Sequence, residues 1–137
     1  MPILSRRGRL AIAAVVDIAV YGENSPVAAK ALAERHDLPP RHLEPMLQEL
    51  VRAGILKGLR GPRGGYNISR EHITCGEIVR AAAGNAEDDA RSTSALIKSV
   101  ILPTVKRAEA LYFAELDKIT VTDLCNEAKN RQLVLAD

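Results

Sequence analysis

At Gly54 the apolar residues of the chain change their period, and this change constrains the fold more than any other feature. Before it, Leu43, Met46, Leu47, Leu50 and Val51 recur at spacings of three and four, the stripe of an amphipathic helix, and Gly54 stands where a left-handed C-cap belongs. After it, Ile55-Leu56-Lys57-Gly58-Leu59-Arg60 and Tyr66-Asn67-Ile68-Ser69 read as extended segments joined by Gly61-Pro62-Arg63-Gly64-Gly65, which predicts a β-hairpin. Upstream, a shorter helical pattern over residues 28–36 stops at Asp37-Leu38-Pro39-Pro40, where proline suits the first turn of the next helix. Short helix, turn, amphipathic helix and hairpin in that order predict a winged helix-turn-helix.

The remaining segments fit around this unit. From residue 10 to residue 20 every side chain except Asp17 is apolar, which requires a helix covered on two sides, closed by Gly22 and Pro26. Thr74-Cys75-Gly76-Glu77 has the form of a capping box and opens a helix that continues to Gly84. A polar linker over residues 85–94 follows. Beyond it Leu96, Ile97, Val100, Ile101, Val105, Ala108, Leu111, Tyr112 and Leu116 repeat at helical spacing through a long helix that Pro103 bends or restarts. In so small a protein that face has little of its own chain to pack against, and a second copy is its natural partner. The expected dimerisation residues are Leu96, Val100, Ile101, Val105, Ala108, Leu111, Tyr112 and Leu116. A cap at Thr120-Val121-Thr122-Asp123 and a short helix over residues 124–130 end the pattern. The expected fold is mainly α with a small β-hairpin: a winged helix-turn-helix DNA-binding domain at residues 1–84, then linker, long dimerisation helix and short terminal helix at 85–137.

Composition narrows the function classes. The 137 residues are 47% hydrophobic and 26% charged, enough for one ordinary core and too few for a multidomain enzyme. Aromatic residues make up only 3%, so the core must be aliphatic, and binding of single strands by rows of stacking rings is disfavoured. The net charge of +2 hides an asymmetry, because residues 1–80 hold 12 Lys+Arg against 8 Asp+Glu whereas residues 81–137 hold 7 against 9. The first part is the one that would meet a polyanion. Ser5-Arg6-Arg7-Gly8-Arg9-Leu10 superficially resembles a twin-arginine export signal, but Asp17 interrupts the apolar run and no small-x-small cleavage site follows at the expected place. No stretch approaches a membrane span, and the expected location is the cytoplasm.

The second amphipathic helix would enter the major groove of double-stranded DNA, with Arg41, His42, Glu44 and Gln48 on its outer face contacting bases or phosphates. Glu44 accepts from cytosine N4 and repels phosphate, so it would act in selectivity. Arg60 and Arg63 stand on a glycine-rich tip that can reach a narrow minor groove. Ser5, Arg6, Arg7 and Arg9 open the first helix, where amides and guanidinium groups suit phosphate. A merely solvated surface is the lesser reading of each basic cluster, whereas Glu44 or Gln48 taken singly is as well explained as an ordinary exposed helix residue; the joint occurrence points to DNA. His36, His42 and His72 have no metal-ligand spacing, nothing resembles a nucleophile with its base, and no enzyme activity is expected.

Arg60-Gly61-Pro62-Arg63-Gly64-Gly65-Tyr66, the Leu43-Glu44 pair, Arg7-Gly8-Arg9 and Ile73-Thr74-Cys75-Gly76-Glu77-Ile78 resemble the Rrf2 family of bacterial winged-helix regulators. The resemblance implies a homodimer on an imperfect palindrome, a recognition helix in the major groove, a wing in the minor groove and a long dimerisation helix. In it Arg60 matches the wing arginine and Glu44 a glutamate tied to operator selectivity in the cluster-binding branch. Members that sense iron, nitric oxide or redox state carry three cysteines in the linker. Residues 85–103 here contain no Cys and no His, so no iron–sulfur cluster, and no other cofactor, is expected. Pro45 also departs from the pattern: it removes a backbone donor and restrains Glu44 within the reading helix.

Two cysteines are too few for a disulfide framework and fit a reducing compartment. Cys75, in the first turn of a helix, reads either as a redox-reactive thiol favoured by the helix dipole or as a small buried hydrophobe; Cys125 reads as packing. The expected function is a homodimeric, sequence-specific DNA-binding regulator acting as a repressor, with its effector unidentified. The alternative is a winged-helix module that binds a metabolic enzyme, with DNA secondary.

Overall fold

The computed structural model describes residues 3–83 and 94–134. Along them run α1 (Arg6–Tyr21), α2 (Ala29–Arg35), α3 (Pro40–Arg52), β1 (Leu56–Leu59), β2 (Gly65–Ile68), α4 (Cys75–Ala83), a π-helical turn (Ile97–Ile101), α5 (Leu102–Leu116) and α6 (Val121–Asn130). The linker expected at residues 85–94 lies, apart from Ser94, outside the described residues. Mostly helical with one antiparallel two-stranded hairpin, this is the expected winged helix-turn-helix. Among the described residues no helix is long and apolar enough to cross a membrane.

Helix α1 starts at Arg6 because the Ser5 hydroxyl accepts the Gly8 N–H at 3.1 Å, and its apolar residues are wrapped by α4, α6 and β2. The core is aliphatic, as the composition requires: Ala11, Val15, Ile18, Leu32, Leu47, Leu50, Ile55, Leu56 and Ile78 are each at most 1% exposed. Asp17, the single charge in that apolar run, is also buried. Its carboxylate accepts from Arg35 Nε at 2.8 Å and Nη2 at 2.7 Å, and from His36 Nε2 at 2.9 Å. The Arg35 guanidinium also lies over the Tyr21 ring, 4.1 Å from its centre. A buried carboxylate without partners is costly, so α1 cannot pack inward unless the end of α2 meets it.

A second ionic clamp joins α4 to α5. Arg80 donates to both Asp117 oxygens at 2.8 and 2.9 Å, and its guanidinium lies 4.6 Å from the centre of the Phe113 ring. A side chain on Gly76 would overlap the Asp117 carboxylate and push it away from Arg80. Within the long helix Pro103 falls in the first turn of α5, and the turn before it is π-helical, so proline starts the regular part rather than bending it.

The C-terminal helix returns to the front of the molecule. Thr120 and Asp123 form a capping box, Thr74 and Thr120 pair as a β-bridge, Cys75 N–H donates to Ile119 O at 2.8 Å and Val121 N–H to Ile73 O at 2.9 Å. Val121 is buried, and α6 packs on α1.

Two outcomes follow. Asp17→Ala should lower unfolding stability by about 2 kcal/mol in urea denaturation, less than for a fully buried pair because Arg35 keeps access to water; a loss below about 0.5 kcal/mol would contradict the role given to the carboxylate. The hydrogen bond and charge of Arg80 hold the Asp117 carboxyl below its ordinary range. Its stabilisation is therefore present above the unfolded carboxylate pKa and lost as pH falls through the lower folded value. The difference in melting temperature between wild type and Asp117→Asn should be full at pH 7 and close under strong acid.

Candidate nucleic-acid interface

Helix α3 is built so that one side is consumed by the core. Leu43, Met46, Leu47 and Leu50 are buried, leaving Arg41, His42, Glu44, Pro45, Gln48 and Arg52 exposed. Pro40 occupies its first turn. At the other end Gly54, with φ +79°, forms a Schellman motif: Gly54 N–H donates to Val51 O and Ile55 N–H to Leu50 O, both at 3.0 Å. This closure turns the chain directly from the reading helix into β1. Arg52 is engaged by Glu49 on its own helix.

The wing pairs Leu56 with Ile68, Lys57 with Asn67, Gly58 with Tyr66 and Leu59 with Gly65. At its tip Gly61 adopts φ +109° and accepts from the Gly64 N–H at 2.9 Å, while a side chain on Gly64 would overlap the Leu59 carbonyl. Arg60 and Arg63 are exposed on this tip and take part in no ion pair among the described residues. Two contacts invisible in the sequence hold the wing to the head. Val27, ahead of α2, bridges Tyr66 through bonds of 3.0 and 2.8 Å. Gln48 Nε2 donates to Tyr66 Oη at 3.2 Å, linking the reading face of α3 to the wing.

The N-terminal residues divide their work. Ser5 caps α1, and Arg7 Nε donates to Ala82 O at 2.7 Å near the end of α4, so part of that guanidinium is held inside the fold. Arg6 and Arg9 are exposed. Arg6, Arg7 and His42 share a cleft of about 470 Å³ with Leu10, Leu38 and Met46, between the starts of α1 and α3. Guanidinium and imidazole groups around such a cleft suit a phosphate oxygen.

On the far side, Leu96, Val100, Ile101, Val105, Ala108 and Leu111 are exposed in the single chain, with Leu111 at 73% and Leu96 at 62%. Tyr112 and Leu116 are half-buried, and Tyr112 lines a cavity of about 350 Å³ with Leu4, Val79 and Phe113.

A family model described as an iron-dependent transcriptional regulator, Rrf2, matches residues 4–127. The chain belongs to the Rrf2 family. It is 31% identical to the HTH-type transcriptional regulator slr0846 of Synechocystis sp., over 94% of this chain and 91% of that protein. It is also 34% identical to the regulator IscR of Vibrio atlanticus, over 57% of this chain but only 46% of the relative. Among solved structures it is similar to T. potens IscR, with a TM-score of 0.73, 29% identity and coverage of 98% and 93% of the two chains. It is likewise similar to CymR, the global cysteine regulator of B. subtilis, with a TM-score of 0.69, 26% identity and coverage of 93% and 98%. Like its Rrf2 relatives, the chain is a DNA-binding transcription regulator and not an enzyme.

The iron in the family description asks for donors such as Cys and His. Among the described residues no three Cys, His, Asp or Glu side chains converge on one point, and the two cysteines of the chain are Cys75 and Cys125. Of the two sequence readings of Cys75, burial favours packing over a redox thiol. Cys75 is 2% exposed, and burial, reinforced by Asp123, pushes its thiol above the ordinary range despite its place in the first turn of α4. Cys125 Sγ lies 3.9 Å from Val16 O, and burial pushes its thiol up as well. In the folded protein at pH 7, Cys75 should be alkylated by iodoacetamide at least about 100-fold more slowly than in urea, followed by peptide mass spectrometry. Equal rates would restore the redox reading.

Proposed function

We propose that this Rrf2 regulator is a sequence-specific repressor that binds a palindromic operator as a homodimer and works without an iron–sulfur cluster. The observation that carries the reading is the union of two exposed reading surfaces in one head: the exposed face of α3, with Arg41, His42, Glu44 and Gln48, and the wing tip with Arg60 and Arg63, joined by the Gln48–Tyr66 bond. The helix serves the major groove and the arginine tip the minor groove, while Arg6, Arg7 and Arg9 serve phosphates.

A second copy covers the apolar face of the π-helical turn and α5, which is exposed over several turns. Two-fold symmetry then sets the reading helices on half-sites about 34 Å apart, one turn of DNA. Control by occupying an operator that overlaps the promoter is repression. The absence of Cys and His from residues 85–103 supports a signal other than a cluster held in the linker.

Footprinting and mobility shift on the protein's own promoter test the reading. Arg60→Ala with Arg63→Ala should weaken specific binding at least about tenfold and flatten its salt dependence. Unchanged binding would refute the wing assignment. In cells, deleting the gene should raise transcription from the bound promoter, and a fall would refute repression.

A further inference from the structure

Helix α3 runs without interruption from Pro40 to Arg52 although Pro45 is its sixth residue. Proline is accommodated in a first turn, but at this position it has no N–H to return to the Arg41 carbonyl and is the residue that helices disfavour most. The core does not explain its presence. Packing is done by Leu43, Met46, Leu47 and Leu50, whereas Pro45 is exposed. At 3.6 residues per turn it lies within roughly 60° of Arg41, Gln48 and Arg52, in the middle of the outward face. Beyond the first helical residue, Pro45 is the one apolar side chain exposed on α3, set among charged and amide groups. Residues that break a local rule at no gain to the core mark functional positions.

We infer that Pro45 is a base-reading residue that packs its ring against the C5-methyl group of a thymine in the major groove. That methyl is the apolar feature by which the major-groove edge of a thymine is told from the other bases, and a rigid ring covers it with no side-chain freedom to lose. Arg41, Glu44 and Gln48 read donors and acceptors around it. Pro45 thus supplies the apolar element of a code otherwise written in hydrogen bonds, which explains why the helix retains it.

The inference rests on the DNA-binding function proposed above, and uracil separates the two. In the footprinted site each thymine is replaced in turn by deoxyuridine, which lacks the methyl and keeps the same pairing. Wild type should lose about fourfold in affinity at one thymine position per half-site, the worth of one buried methyl, and little at the others. Pro45→Gln, which removes a helix-breaking residue and should fold at least as stably, should bind the thymine and uracil forms of that position equally. A clear footprint with no uracil effect, or a uracil effect unchanged in Pro45→Gln, would overturn the role of Pro45 and leave the function standing. Absence of any specific footprint would overturn both.

Discussion

The reading head depends on one buried charge. Asp17 sits in a helix whose other inward residues are uncharged, and among the described residues its carboxylate is met by the Arg35 fork and the His36 ring, the last residue and the C-cap of α2. A helix of seven residues has too few turns to hold itself in place by its own hydrogen bonds. Its angle to α1 is set by that pairing and by Leu32 in the core. From there the chain turns through Asp37, with φ +53°, and a Leu38 N–H to Ala33 O bond of 2.9 Å, so α3 is aimed by what happens at residue 17.

Aiming alone would leave helix and wing independent. The Schellman closure at Gly54 removes the slack between α3 and β1, while the Val27 bridge and the Gln48–Tyr66 bond tie β2 to both ends of the helix-turn-helix. Tyr66 therefore serves twice, with its backbone in the sheet and its hydroxyl at the reading face. One of the few aromatic residues in the chain stands where two recognition elements must keep a fixed spacing.

The sequence displayed the features that are local in the chain. The period change at Gly54, the capping box at Thr74 and Glu77, the glycine-rich tip and the apolar stripe of the long helix are each decided by residues within a few positions of one another. What stayed hidden were pairings across long separations: Asp17 with Arg35 and His36, Arg80 with Asp117, Arg7 with the Ala82 carbonyl. Asp17 could be seen as an interruption of an apolar run, but not what answered it. Cys75 keeps two readings in the sequence for a related reason. Its position in a first turn is local and favours a thiolate, whereas its burial under the returning C-terminal segment is not local and outweighs the dipole.

That return has a consequence for how the head is made. The bonds from Cys75 to Ile119 and from Val121 to Ile73, with α6 lying on α1, close a loop of some forty-five residues onto the face that flanks the helix-turn-helix. During synthesis α1 through β2 emerge early, yet one side of α1 stays uncovered until the ribosome has passed α5 and released α6. The part that reads DNA is thus completed by a segment made long after the wing, and a chain broken off after the wing carries an open hydrophobic flank rather than a finished reading head.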